Sequence, residues 1–107
     1  MELASSTAAI REICFRRDTA IAKLGGDAAL ELAQILSDIQ AFDTFAEFEA
    51  TFGHQISDRG KWEKCFMMKA GYLIVFTAGH PLNLGTKPVP INWRKTTRLM
   101  IKAFEQI

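Results

Sequence analysis

The chain has 107 residues, of which 49% are hydrophobic and 23% charged, and its formal net charge is +1. This length predicts a single domain, residues 1–107, and the composition excludes an intrinsically disordered tail. Because the net charge is close to zero, overall charge alone predicts no nucleic-acid or membrane partner. Any case for such a partner depends on where the charges lie.

Targeting signals are absent from the sequence pattern. Residues 1–5 read Met-Glu-Leu-Ala-Ser, without the basic region and apolar run of a signal peptide. The longest apolar run, Tyr72–Phe76, is far shorter than the roughly 20 residues of a membrane span. Cys14 and Cys65 lack metal-ligand spacing and are expected to be reduced thiols, although a single disulfide stays open. We therefore expect a cytoplasmic protein without a cofactor, metal or membrane contact.

The first segment of the chain has helical periodicity. Ser5 or Ser6 is expected to cap the first helix, and Asp18 to cap a second short helix after an interruption at residues 16–18. Gly25-Gly26 is expected to end this segment, because glycine adopts the left-handed C-cap conformation without a steric clash. The apolar residues three, four or seven positions apart are Ile10, Ile13, Cys14, Ile21 and Leu24.

Two further helices are predicted before the middle of the chain. Asp27 is expected to cap the clearer one, whose apolar face holds Leu32, Ile35, Leu36, Ile39 and Phe42. Asp43 can cap a short helix that ends at Gly53, with Phe45, Phe48 and Phe52 on one side.

The second half of the chain has the pattern of strands. Trp62–Met68 and Tyr72–Thr77 predict a hairpin with a tight turn at residues 69–71, and Ala78–Pro90 predicts an exposed loop. Trp93–Phe104 alternates with a period of two, which favours a strand with a basic outer face over a helix. The predicted fold is α+β, with an N-terminal helical hairpin on one face of a small, three-stranded antiparallel sheet whose other face is open.

Basic residues of the second half are candidates for phosphate binding on that open sheet face. A cationic face attracts phosphate, and Trp62 offers a stacking surface for an unpaired base. His54 is a candidate general acid or base. The alternatives are an ordinary solvated face, a half-buried core position for Trp62 and a loop histidine without a role. The basic residues concerned are Arg59, Lys61, Lys64, Lys69, Arg94, Lys95, Arg98 and Lys102.

Six segments, in order along the chain, resemble the RelE/HigB-like toxins of the RelE/ParE superfamily. The helical part of the resemblance lies in Arg11–Cys14, in Ala20–Gly25 with its Lys-Leu-Gly stop, and in Ala28–Phe48 with Leu36-Ser37-Asp38-Ile39. The strand part lies in Gly53–Trp62 with its histidine and Arg-Gly-Lys-Trp, in Gly71–Phe76 and in Ile91–Thr97. Together these segments cover residues from about 10 to 104.

The resemblance implies a ribosome-dependent messenger-RNA endonuclease that uses no metal and no cofactor. It implies control by an antitoxin protein, often a helix-turn-helix repressor. The catalytic candidates carried over are His54, Arg59, Lys61, Arg94 and Arg98. The nucleic-acid-binding candidates are Trp62, Lys64, Lys95 and Lys102.

The chain also departs from the family pattern at both ends. Only Met1–Ala4 precede the first helix where relatives have a full strand, so an unpaired sheet edge is expected, available for homodimer formation. Phe104–Ile107 stand where many relatives have a tyrosine–histidine pair. A second hypothesis is therefore a non-catalytic module of the same fold that binds an antitoxin or another protein. A third is an unrelated α+β protein whose open sheet face is an oligomer interface.

Overall fold

The structure, a computed structural model, describes residues 1–78 and 92–107, and this part of the chain is α+β as predicted. Its helices are α1 (Ala8–Phe15), α2 (Arg17–Leu24), α3 (Gly26–Ala41) and α4 (Phe45–Phe52), with short 3₁₀ turns at Gly53–Gln55 and Trp93–Lys95. Its strands are β1 (Glu2–Ser5), β2 (Ile56–Arg59), β3 (Glu63–Met67), β4 (Tyr72–Ala78) and β5 (Arg98–Gln106). Except for Ala78, the predicted loop Ala78–Pro90 lies outside the described residues.

The sheet has five strands in the order β1-β5-β4-β3-β2, where three antiparallel strands were predicted. The predicted hairpin is present as β3 and β4, and β5 pairs with β4 in antiparallel fashion. The N-terminal strand is not missing, because β1 runs parallel to β5 and makes the sheet mixed. Strand β2 was also overlooked, since Ile56-Ser57-Asp58-Arg59 holds one apolar residue and shows no alternation.

A bulge in β5 changes which side chains face the core. Val75 pairs with Ala103 and Phe76 with Ile101, so Lys102 is an extra residue in the ladder. Ile101 is buried and Phe104, three residues on, also packs against the core. Leu99 and Ile101 therefore face the core, as the predicted alternation requires. Ala103 was predicted on the same side, but after the bulge it lies on the opposite sheet face.

The helix caps differ from those predicted. Thr7, not Ser5 or Ser6, caps α1, and its side-chain oxygen accepts a hydrogen bond from the Ile10 N–H at 3.2 Å. Ser5 belongs to β1 instead. Thr44, not Asp43, caps α4 and accepts from the Glu47 N–H at 3.4 Å. Neighbouring polar residues have similar capping ability, so the path of the chain decides between them.

The junction between α2 and α3 is a single residue. Gly25 ends α2 with φ of 92° and serves at once as the N-cap of α3, which begins at Gly26. The predicted glycine stop is confirmed. The predicted caps Asp18 and Asp27 instead lie in the first turns of α2 and α3, where a carboxylate interacts favourably with the helix dipole.

One hydrophobic core joins α3 and α4 to alternate residues of the sheet. The predicted apolar face of α3 is buried except for Phe42, which follows the helix as its C-cap and is half-buried. Phe45 and Phe48 of α4 are fully inaccessible. The largest side chains of this core are Leu32, Ile39, Phe45, Phe48, Phe66, Met68, Ile74, Phe76, Leu99 and Ile101. Residues that alternate with the sheet members of this set point to the opposite sheet face.

Glu31 connects α3 to the β3–β4 turn and supports a stability prediction. Its carboxylate accepts hydrogen bonds from the Lys69 N–H at 2.7 Å and the Ala70 N–H at 2.8 Å. Because both bonds are charge-assisted, we expect Glu31→Ala to lower the free energy of unfolding by about 1–3 kcal/mol in a urea titration. Gln34→Ala, at an exposed position of the same helix, is the control. A loss no larger than that of the control would contradict this role.

Candidate nucleic-acid interface

A pocket of about 460 Å³ lies on the sheet face that is turned away from the core, beside the β2–β3 turn. It brings together four of the predicted site residues, namely Arg59, Lys61, Trp62 and Lys102. Its remaining lining consists of Gly60, Glu63, Thr77 and Met100. Residues from β2, β3, β4 and β5 therefore converge on one concave site.

The β2–β3 turn gives this pocket its shape. Gly60 has φ of 73°, a left-handed conformation that a side chain would strain, and it directs the chain back toward β3. The carbonyl of Trp62 accepts a hydrogen bond from the buried Thr77 hydroxyl at 2.5 Å. This bond fixes the backbone of Trp62, a half-buried residue that lines the pocket.

Two of the three cations that line the pocket are paired with carboxylates, and Lys61 has no such partner within the described residues. The Arg59 guanidinium donates to both oxygens of Glu105, at 2.6 and 2.7 Å, and lies 3.9 Å from Glu63. Hydrogen bonds and charge from Glu105 raise the pKa of Arg59. Lys102 lies 2.5 Å from Glu63 through its Nζ atom. The charge of the pocket is therefore only partly balanced, because three cations face Glu63 and Glu105.

Arg98 lies beside the pocket on the same face. It precedes the pocket residue Met100 by two positions in β5, which places the two side chains about 7 Å apart along one face. Its Nε atom is 2.7 Å from a carboxylate oxygen of Glu2 in β1. This face was predicted to be open, but its centre is buried at Cys65, Val75 and Thr77. Around that centre it carries Arg59, Lys102 and Arg98 against Glu105, Glu63 and Glu2.

Arg94 and Lys95 are exposed and do not line the pocket. They belong to the 3₁₀ turn Trp93–Lys95, which leads into β5. The indole of Trp93 packs on Phe45 at 5.1 Å and on Phe76 at 6.1 Å between ring centroids. This packing fixes the turn against the core side of the sheet.

Lys64 points to the core side, away from the pocket. Its side chain is only 13% exposed, with the Nζ atom 2.5 Å from Asp58 and 3.9 Å from Glu49. The same atom lies 5.8 Å from the Phe45 ring centroid and 5.3 Å from that of Trp93. The structure therefore gives Lys64 an ion-pair and cation–π environment within the fold.

His54 and Arg59 lie at opposite ends of β2. His54 is exposed in the 3₁₀ turn before the strand, whereas Arg59 is its last residue. Ile56–Arg59 alone span about 10 Å, so the imidazole does not line the pocket. The other histidine, His80, lies outside the described residues.

Glu63 is a pocket residue that the sequence interpretation missed. It is the acidic residue among those that line the pocket, and a carboxylate there can accept a proton from a bound substrate. The sequence feature that could have indicated this role is Gly60, a turn residue three positions before Glu63. A turn of residues 60–62 that begins at this glycine places Arg59 opposite Glu63, which is the pairing observed between β2 and β3.

Residues 1–78 and 92–107 hold no group of three or more His, Cys, Asp or Glu side chains that is arranged to bind a metal ion. No helix in those ranges is both long and apolar enough to cross a bilayer. Cys14 and Cys65 are not joined by a disulfide.

Comparison with known proteins gives no identification. No protein-family model, no curated protein and no solved structure matches this chain significantly. We therefore base the functional proposal on the geometry of the pocket and on the sequence pattern.

Proposed function

We propose that this chain is the toxin component of a type II toxin–antitoxin system and cleaves messenger RNA on the ribosome. The proposal includes a RelE-like fold in which a helical hairpin covers one face of the sheet. The order of strand, helices, hairpin and last strand is consistent with it. The observation that carries it is the pocket in which Arg59, Lys61 and Lys102 surround one cavity beside Trp62.

In this proposal the cations hold the scissile phosphate. Lys61 forms no ion pair within the described part of the chain, so its ammonium is free to bind phosphate oxygens. Arg59 offers the planar fork that matches a phosphate, after exchange of its contact with Glu105. The indole of Trp62 stacks on an adjacent unpaired base.

Glu63 supplies the acid–base function. Its carboxylate removes the proton from the ribose 2′-hydroxyl, and the 2′ oxygen then attacks the adjacent phosphorus. The bond to the 5′ oxygen breaks, and this leaving oxygen takes up a proton from water. Lys61, Arg59 and Lys102 stabilise the negative charge that develops on the phosphoryl oxygens.

Expression in bacteria and RNA binding in vitro test this assignment together. We expect growth arrest with cleaved ribosome-associated messenger RNA, and loss of both in Lys61→Ala plus Lys102→Ala. For a single-stranded RNA oligonucleotide, the slope of log affinity against log salt should fall by about 1.4, at about 0.7 for each phosphate contact. Glu63→Gln should bind this RNA at least as tightly, because Lys102 and Arg59 lose a carboxylate partner, and should fail to cleave messenger RNA.

The matched control for charge is Lys23→Ala plus Lys69→Ala, which removes two exposed cations that do not line the pocket. It should arrest growth like the unaltered chain. Arg94→Ala plus Arg98→Ala tests whether the site extends beyond the pocket. RNA cleavage that persists in both Glu63→Gln and the Lys61, Lys102 double variant would contradict the assignment.

A second candidate is a non-catalytic module of the same fold that binds an antitoxin or another protein target. The specific observation in its favour is that Arg59, Lys102 and Arg98 are each paired with a carboxylate, since a charge-balanced face suits a protein partner better than a polyanion. Growth arrest with intact RNA, unchanged in Glu63→Gln, would support this candidate over the nuclease.

The partners in this proposal are an antitoxin, of the helix-turn-helix type, and the messenger RNA on the ribosome. A neighbouring reading frame for a helix-turn-helix protein would support the first. Strand β1 pairs with the edge of β5 that was predicted to be unpaired. The edge strands of the sheet are β1 and β2, so a homodimer through a sheet edge would use one of these two. Absence of growth arrest together with a stable homodimer in light scattering would favour an unrelated oligomeric α+β protein.

A further inference from the structure

A second cavity, of about 410 Å³, lies between α1, α2 and the first half of α3. None of the residues that line it belongs to the sheet, so it is separate from the pocket beside the β2–β3 turn. We call it the helical groove. Any role for it is therefore independent of the proposed RNA cleavage.

The helical groove exposes three large apolar side chains. Phe15, Ile21 and Leu30 line it and are 55%, 42% and 73% exposed. Among residues 1–78 and 92–107, the other large hydrophobic residues exposed in this way are Met67 and Ile107, and neither lines the groove. Single exposed apolar residues are ordinary, whereas three around one concavity mark an interaction site.

The charge of the helical groove has one sign. Arg16 and Arg17 line it, and no carboxylate is among its lining residues in the described part of the chain. Arg16 is 3.6 Å from Glu12 in a pair that is largely solvent-exposed and therefore weak. Cys14 adds no negative charge, because burial raises the pKa of its thiol to about 11.

These features argue against a second copy of this chain as the occupant. A two-fold contact pairs the same patch with itself, so the arginines that line the groove of one copy would face those of the other, while Glu12, the carboxylate paired with Arg16, lies outside the lining. A complementary partner carries acidic residues beside its apolar ones. Apolar anchors at i, i+3, i+4 and i+7 on one face of a helix are the usual way to fill a groove between helices.

We propose that the helical groove binds an amphipathic helix of a partner protein, with apolar anchors against Phe15, Ile21 and Leu30 and acidic residues facing Arg16 and Arg17. The anchors enter the cavity between α1, α2 and α3. The acidic flank pairs with the two guanidinium groups at its rim.

A labelled synthetic helix tests this proposal by fluorescence anisotropy. The probe has leucine at i, i+3, i+4 and i+7 and glutamate at the flanking positions, and the comparison peptide has lysine in place of glutamate. We expect the glutamate peptide to bind at least about tenfold more tightly. Phe15→Ser plus Leu30→Ser should weaken it by at least about tenfold, the loss typical of removed interface anchors. Arg16→Glu plus Arg17→Glu should reverse the preference between the peptides.

Two matched variants serve as controls, and circular dichroism verifies that every variant is folded. Met67→Ser removes an exposed apolar residue from the sheet, and Lys23→Glu reverses a charge of α2 outside the groove. Both should leave peptide affinity unchanged. Equal affinity for the two peptides, or the same loss in the controls, would overturn the proposal. A homodimer that Phe15→Ser dissociates would overturn it too, because the occupant would then be a second copy.

Discussion

Replacing Phe48 with alanine is expected to lower the free energy of unfolding by about 3–5 kcal/mol. Phe48 is fully inaccessible in α4, and its ring is 5.5 to 6.0 Å from four other aromatic rings. Removal of the ring leaves a cavity at the contact between α4 and β3, where Phe48 stacks on Phe66 with an interplanar angle of 14°. A domain of this size has a total stability of only about 5–15 kcal/mol, so the variant loses a large part of it.

Chemical denaturation at constant temperature measures this loss. Phe15→Ala is the matched control, because the same ring is removed from an exposed position and should change stability by about 0.5 kcal/mol or less. A loss at Phe48 close to that of the control would contradict the packing of α4 on the sheet.

Lys64→Glu is expected to lower the free energy of unfolding by about 2–3 kcal/mol. The change places a third carboxylate beside Asp58 and Glu49 and removes the cation from the Phe45 and Trp93 rings. The expected loss is no larger than this because both partner carboxylates are exposed, and solvent screens their repulsion of the new carboxylate. Lys64→Met keeps the apolar stem of the side chain and should cost less.

The same pair of variants distinguishes a structural role for Lys64 from nucleic-acid binding. Lys69→Glu, at an exposed turn position, is the control for the change in net charge. We expect Lys64→Met to leave RNA affinity as it is in the unaltered chain. If Lys64→Met lowers RNA affinity without lowering the free energy of unfolding, Lys64 takes part in nucleic-acid binding, as the sequence predicted.

The paired charges of the open sheet face affect any ligand that binds there. Glu105 already makes with Arg59 the two-pronged contact that a phosphate would make. Phosphate binding at Arg59 therefore exchanges one charge-assisted contact for another, and the net gain at this position is small. Lys61 has no carboxylate partner among the described residues. We therefore expect Lys61 to contribute more to RNA affinity than Arg59.

The sequence by itself determined the elements whose signal is local. The apolar spacing in α3 predicted its buried face, Gly25 predicted the end of α2, and the two-sided apolar run Tyr72–Phe76 predicted a central strand. Period-two alternation also predicted the last strand, which begins at Arg98 and not at Trp93, and its facing as far as Ile101. These signals are strong because each depends on neighbours a few residues away in the chain.

Only the tertiary structure decided the rest, because it depends on partners distant in sequence. β1 and β2 have four residues each, and their pairing with β5 and β3 supplies hydrogen bonds that no local pattern reveals. Alternation likewise did not determine which face of β3 carries Lys64. The bulge at Lys102 is a result of the pairing of β5 with β4 and has no local sequence signal. The carboxylates opposite Arg59 and Arg98 lie 46 and 96 positions away in the chain, so the charge balance of the open face is a property of the fold.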